Sequence, residues 1–214
     1  MNRDRSPMLP EAILLLGPTG SGKTPLGELI EREGLGGHKC VHFDFGSQLR
    51  RYAAAPTGLL STTELEVVKD SLRAGTLLAD DQFLIAEKLL RSFIKENNIE
   101  KGNLIILNGL PRHAGQAAAL ETLICIVAVA VLDCDAPIVL ERIRTDAGGD
   151  HGGRTDDTIE DVTSKLAIFE EKTSPLVRYY ETRCVPIIRI GIGVCSSAED
   201  NRLLLADRLD QLRR

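Results

Sequence analysis

The sequence predicts an α/β fold, a five-stranded parallel sheet with helices on both faces. Five short apolar runs, Ile13 to Leu16, Cys40 to Phe45, Leu104 to Leu107, Ile124 to Leu132 and Val185 to Ile190, alternate with segments of helical spacing. The first run ends in a glycine cluster from which a helical pattern starts. Alternating strands and helices imply βαβ units with right-handed crossovers, and such a sheet is covered on both sides.

Residues 1 to about 10 form a polar leader closed by Pro10. Ile13 to Leu16 suits a buried strand entering a tight turn. Leu26, Leu29 and Ile30 then share a helical face, and Gly34-Leu35-Gly36-Gly37 ends that helix. Cys40 to Phe45 is the second strand, and residues 46 to 97 are helical in texture. There Thr62 or Thr63 is a candidate cap, Leu65, Val68 and Leu72 form one buried face, and Phe83, Leu84, Ala86, Leu90 and Phe93 mark a further helix. The stretch from Thr145 to Gly153 has four glycines in nine residues and almost nothing apolar. It cannot supply core, so a surface loop is expected between two helices, well placed to serve as a lid.

The chain has 31 acidic and 26 basic residues, a net charge of −5 and no basic block. Neither a nucleic acid nor a membrane is therefore the expected partner. Binding of a polyphosphate would require lysines and arginines to converge on one cleft from distant points of the chain. The five cysteines are scattered, with no C-x-x-C pair, and are expected to be small buried hydrophobes in a reducing compartment. No signal-like apolar stretch follows Met1 and no run approaches the ~18–20 apolar residues of a membrane span, so a cytoplasmic location is expected. His38, His42, His113 and His151 have no spacing that suggests ligation or a triad, and are expected at the surface or in local hydrogen bonds.

Gly17-Pro18-Thr19-Gly20-Ser21-Gly22-Lys23-Thr24 fits G-x-x-x-x-G-K-[ST] between a predicted strand and a predicted helix. Glycines let successive N–H groups aim into one concavity, the helix start adds a positive dipole end, and Lys23 brings a full charge to the β- and γ-phosphates. Gly17, Thr19, Gly20, Ser21, Gly22, Lys23 and Thr24 are thus candidate ATP-phosphate ligands, with the Thr24 hydroxyl placed for Mg²⁺. Pro25 falls in the first helical turn, which tolerates a missing N–H. The motif alone specifies nucleotide binding, since ATPases, GTPases, kinases and tRNA-modifying transferases share it.

Three further segments narrow the choice. Asn108-Gly109-Leu110-Pro111-Arg112, followed by Gln116, resembles the D-G-F-P-R…Q segment of the adenylate kinase family. Gly153-Arg154-Thr155-Asp156-Asp157 resembles that family's G-R-x-D-D, and Thr173-Ser174-Pro175-Leu176 with Tyr179-Tyr180 its T-x-P-L-x-x-Y-Y element. With the phosphate loop, the resemblance spans most of residues 13 to 191. It implies a single P-loop kinase domain over 1–214, with a core at about 11–45, 98–144 and 155–214, a helical acceptor-binding insertion at about 46–78 and a short lid at about 145–154. It also implies a monomeric enzyme that moves the γ-phosphoryl group of ATP, with Mg²⁺, to a nucleoside monophosphate, AMP before others.

By the same resemblance Lys23, Arg112, Arg142, Arg154 and Lys165 serve the transfer, with Arg142 at the lid entrance and Arg154 at its hinge. Arg50 and Arg112 grip the acceptor phosphate, Gln116 reads the base edge, and Gly109 allows close approach. Asp156 and Asp157 anchor the lid, and Asn108 touches the Mg²⁺ shell through water. Planar guanidinium groups suit phosphate because they donate in parallel. Thr158 and Asp161 also fit a simple capping box.

The pattern is not met everywhere. Asn108 and Ser47 stand where the family has aspartates, Lys165 where it has an arginine, and Phe45 where it has a small or hydroxyl residue. For Asn108, slower turnover or weaker Mg²⁺ use is the expected consequence, and Phe45 is expected to reshape the pocket for the base. Other readings stay open: a P-loop kinase of another small metabolite, with Asp44 accepting an alcohol proton, or a nucleotide-binding sensor with weak or lost turnover. A tRNA prenyl transferase would share the phosphate loop but needs a basic surface that the composition lacks.

Overall fold

Along the first strand, Ala12, Leu14 and Leu16 join one hydrophobic cluster while Ile13 and Leu15 join another. A strand buried on both faces belongs inside a covered parallel sheet. The computed structural model describes residues 9–147 and 159–212. Its strands are β1 (Glu11–Leu16), β2 (Cys40–Asp44), β3 (Leu104–Asn108), β4 (Cys125–Asp133) and β5 (Ile187–Gly191), all paired in parallel in the order β2-β3-β1-β4-β5. The predicted fold class is the observed one.

The helices are α1 (Lys23–Glu33), α2 (Phe45–Ala54), α3 (Thr62–Ala74), α4 (Phe83–Glu96), α5 (Ala114–Leu120), α6 (Ala136–Arg144), α7 (Ile159–Ile168), α8 (Leu176–Glu181) and α9 (Ala198–Leu212). A π-helical stretch, Phe169–Thr173, continues α7. Leu26 and Ile30 of α1 and Leu205 of α9 cover one face of the sheet. Leu49 of α2, Val68 of α3, Leu89 and Leu90 of α4, Ala117 of α5 and Leu176 of α8 fill the other. The order turns back at β1: the chain leaves it towards β2, returns through β3 and crosses to β4. In open α/β sheets the crevice at such a reversal, beyond the carboxyl ends of the strands, is where ligands sit.

Several local expectations need correction. The second strand stops at Asp44, and Phe45 begins α2, because the Asp44 carboxylate accepts the Ser47 N–H at 2.7 Å and caps the helix. The cap of α3 is Ser61, in a reciprocal box with Glu64, and neither Thr62 nor Thr63. Helix α9 was not expected. Its start is marked by Ser197, whose hydroxyl accepts the Asp200 N–H at 3.0 Å.

Only Cys40 is a buried cysteine; Cys125, Cys184 and Cys195 are exposed and Cys134 is half-buried. Burial pushes the Cys40 thiol up to about 11 from 9.0. Native protein at neutral pH should therefore label quickly at the exposed cysteines and at Cys40 only on unfolding, which mass spectrometry reads directly. A raised thiol pKa contributes stability that is complete below about 9 and is lost as pH rises through about 11, so Cys40→Ala should blunt the alkaline loss of stability.

His42 is not a surface residue in the expected sense. Its ring lies against the Cα of Gly27 in α1, its Nε2 is buried without a partner among the described residues, and burial holds its pKa down. A Cβ at Gly27 would run into that imidazole. Alanine is the better helix former by about 1 kcal/mol, but overpacking costs about 1–3 kcal/mol, so Gly27→Ala should be less stable by up to about 2 kcal/mol and melt lower. Adding His42→Ala should recover the loss; thermal unfolding of the pair and the double variant decides it.

Candidate active site

At the carboxyl ends of β1, β2 and β3 the chain encloses a cleft of about 240 Å³. Its first wall is the loop from Gly17 into α1. Gly17 has no room for a side chain, since a Cβ there would lie 2.7 Å from Ser21 Oγ and 2.9 Å from the Leu132 carbonyl oxygen. Gly20 (φ 72°) and Gly22 (φ 89°) take left-handed angles that glycine adopts without cost. Gly22 caps α1 with no side-chain bond to its first N–H groups. Those donors, and the positive end of the helix, are left for an anion. The Ser21 hydroxyl is fully buried and donates to the Pro18 carbonyl at 2.8 Å. The Lys23 ammonium donates to the same carbonyl and to Ser21 Oγ at 3.4 Å.

The cleft's other walls come from distant segments. Asp44, Phe45, Gly46, Leu49 and Arg50 line it from the β2–α2 junction, Ser71 to Leu78 from α3 and the chain after it, and Asn108 to Gln116 from the end of β3. Lys165, Phe169 and Thr173, spaced four apart, line it from α7 and the π-helical stretch. The charged residues of the described wall are Lys23, Arg50, Arg112 and Lys165 against Asp44. An acidic protein has gathered an excess of positive charge in one place, the condition its composition set for binding polyphosphate.

Arg112 is the most constrained of these. Its N–H donates to Gln116 Oε1 at 2.9 Å, and its carbonyl accepts the Thr173 hydroxyl at 2.9 Å. The guanidinium itself has no hydrogen-bond partner among the described residues. Burial pushes its pKa down, opposed by the charge of Asp44. Arg50 is exposed and likewise has no hydrogen-bonded or ionic partner among the described residues.

Gln116 reaches the wall, but both ends of its amide are occupied. Oε1 holds the Arg112 N–H, and Nε2 donates to the Leu78 carbonyl at 3.0 Å, with the side chain 1% exposed. His113 adds to this fastening, with Nε2 3.2 Å from the Leu78 oxygen and Nδ1 3.1 Å from Asp80 Oδ1. Gly109 (φ 81°) packs at the start of α2, where a Cβ would stand 3.5 Å from that of Phe45.

Arg142, expected at a lid entrance, lies near the end of α6 and is bonded to the phosphate loop. It is 3% exposed, and its Nε donates to the Gly20 carbonyl at 2.9 Å. Its Nη1 meets the carbonyls of Gly193, Val194 and Ser196 at 2.9, 2.9 and 3.1 Å. It thereby ties the loop to the turn that leads into α9. Ile143 and Val139 of the same helix pack against Gly20. Arg154, Asp156 and Asp157, with His151, Thr158 and most of the expected lid, lie outside the described residues.

One cluster was not foreseen. Thr24 Oγ1 donates to Asp44 Oδ2 at 2.9 Å, and Asn108 Nδ2 reaches the same oxygen at 2.8 Å and Thr24 Oγ1 at 3.2 Å. The signal that could have found it is the placing of Asp44 and Asn108 at the ends of neighbouring strands.

Comparison with known proteins agrees with this geometry. The family model described as adenylate kinase matches residues 15–185. The chain belongs to the adenylate kinase family. An adenylate kinase of Stenotrophomonas maltophilia (strain K279a) is 34% identical over 196 residues, covering 87% of this chain and 94% of that protein. An adenylate kinase of Parvibaculum lavamentivorans is 32% identical, with 80% of each chain covered. A uridylate kinase of Saccharomyces cerevisiae is 28% identical over 83% of this chain and 81% of its own length. The adenylate kinase match thus takes in the phosphate loop, the Arg112 segment and the α7–α8 region together. No helix among the described residues is long and apolar enough to cross a membrane.

Proposed function

We propose that this chain transfers the γ-phosphoryl group of ATP to AMP, giving two molecules of ADP, with Mg²⁺ accompanying ATP. One observation carries the reading: in a member of the adenylate kinase family, a phosphate loop and two arginines without bonded partners among the described residues converge on one cleft. The loop amides, Lys23 and the start of α1 hold the polyphosphate, while Arg50 and Arg112 take the acceptor phosphate from the opposite wall. An oxygen of AMP attacks the γ-phosphorus, the bond from that phosphorus to the β-bridging oxygen breaks, and the leaving group is ADP. An ionised phosphate needs no base, so the protein's work is positioning and neutralising charge. Arg154 and Lys165 complete the clamp, Asp156 and Asp157 anchor the lid, and Arg142 keeps the loop in shape from behind.

The residues present fit a magnesium ion. Thr24 Oγ1 and Asp44 Oδ2 are hard oxygen donors 2.9 Å apart at the loop. No group of three histidine, cysteine, aspartate or glutamate side chains stands together among the described residues. Magnesium keeps several waters and binds through one or two side chains and the substrate phosphates rather than in a protein cage. When bound, it supplies neutralisation of charge on the β- and γ-phosphates.

For the acceptor base, Phe45, Gly109 and the Leu78–Gln116 contact lie on the wall beyond Arg112. Gln116 would meet an adenine edge by exchanging its bond to the Leu78 carbonyl for one to the base. The test is ADP release from ATP and Mg²⁺ with AMP, UMP, CMP, GMP, their deoxy forms or no acceptor. Release that requires AMP supports the reading; release led by another monophosphate corrects the acceptor. ATP binding without acceptor-dependent release overturns it.

A further inference from the structure

The carboxylate of Asp44 is more than a helix cap. Its Oδ1 accepts the Ser47 N–H at 2.7 Å, which satisfies α2. A neutral serine or asparagine caps a helix as well as aspartate does, so the cap does not account for the charge. Oδ2 faces the other way, to the Thr24 hydroxyl at 2.9 Å and Asn108 Nδ2 at 2.8 Å. Asp44 is also the acidic residue of the described cleft wall.

β2 and β3 are parallel neighbours in which Asp44 and Asn108 are direct partners. Their Cα atoms are therefore about 4.8 Å apart, a displacement that one water in a cation's shell can span. Asn108 turns its N–H₂ end towards Thr24 and Asp44. A donor cannot serve a cation, so on this side Asn108 orients its neighbours. The Thr24 hydroxyl gives its proton to Asp44, which leaves oxygen lone pairs available to a hard cation.

We propose that Asp44 is the carboxylate of this chain's magnesium site, with Asn108 holding it against Thr24, so that the negative charge sits at the end of β2 rather than β3. The inference rests on the proposed ATP-binding role of the cleft and deepens it. It also gives Asn108 a use: its amide locks the carboxylate that does the work.

The test uses Mn²⁺ as a paramagnetic stand-in for Mg²⁺, with ATP and no AMP, and reads Mn²⁺ affinity of the protein–ATP complex by electron paramagnetic resonance. Asp44→Asn keeps the cap and should weaken Mn²⁺ binding roughly 10–100-fold, while metal-free ATP binds as well as before or better. The double variant Asp44→Ser with Asn108→Asp returns a carboxylate to β3 and should recover most of the loss. Should Asp44→Asn fail to bind ATP, Asp44→Ser, which keeps a capping oxygen for Ser47, is read in the same way. Wild-type Mn²⁺ affinity in the Asp44 variant overturns the proposal, and so does a double variant as weak as Asp44→Asn. Phosphoryl transfer is scored apart: Asp44-dependent Mn²⁺ binding without transfer to AMP sinks the proposed function and leaves this inference standing.

Discussion

Arg112→Ala is expected to lower kcat/KM for AMP by about 10²–10³-fold, the cost of removing one preorganised donor from developing charge, with ATP affinity unchanged. The reason lies in how the residue is mounted. Its backbone is fastened on both sides, by Gln116 Oε1 and by the Thr173 hydroxyl, while its guanidinium has been given no partner among the described residues. A half-buried cation with no bonded partner among the described residues, and only the nearby charge of Asp44 to offset it, is costly to the folded protein, and an anion repays that cost. The variant should therefore melt no lower than wild type, and with the charge gone it should melt higher. Lysine at this position should restore little, because an ammonium cannot donate two parallel bonds to a phosphate. Coupled ADP release, calorimetry with ATP and thermal unfolding measure the three effects. Wild-type kcat/KM in the alanine variant would remove Arg112 from the acceptor site.

Lys23→Met should have an effect of similar size on turnover, about 10²–10³-fold, by a different route. Without nucleotide the ammonium is held by the loop itself, on the Pro18 carbonyl and Ser21 Oγ. Methionine keeps the length and loses the charge, so the loop should fold while its pull on phosphate weakens. The loss in affinity should grow from ADP to ATP and be absent for adenosine. Titration of the three ligands measures it, and a uniform loss across them would point to a distorted loop instead.

The parts of this molecule that the sequence made readable are those set by neighbouring residues. The phosphate loop is eight consecutive positions, and the alternation of β1, α1 and β2 is a matter of short-range period. The segment from Asn108 to Gln116 is legible because it keeps a recognisable order after a strand. What escaped depends on long closures. Arg142 reaches carbonyls 51 to 54 residues further on, and no spacing announces that. The pairing of Asp44 with Asn108 exists only once β2 and β3 are in register. Helix α9 was missed because Leu203, Leu204 and Leu212 are exposed while Leu205 and Asn201 are buried, which blurs its apolar face. His42 could not be placed without Gly27, whose missing side chain makes its room.

The segment expected to bind the acceptor, about 46–78, starts just after Asp44 and ends at Leu78, and both of these residues are fastened. Asp44 is bound by Ser47, Thr24 and Asn108, and the Leu78 carbonyl by Gln116 Nε2 at 3.0 Å and His113 Nε2 at 3.2 Å. A stretch riveted at both ends can be rewritten between the rivets like an exchangeable cassette while the strands beneath keep their register. Change in the choice of acceptor need not then disturb the machinery that holds ATP, and a lineage can explore new bases without rebuilding its engine.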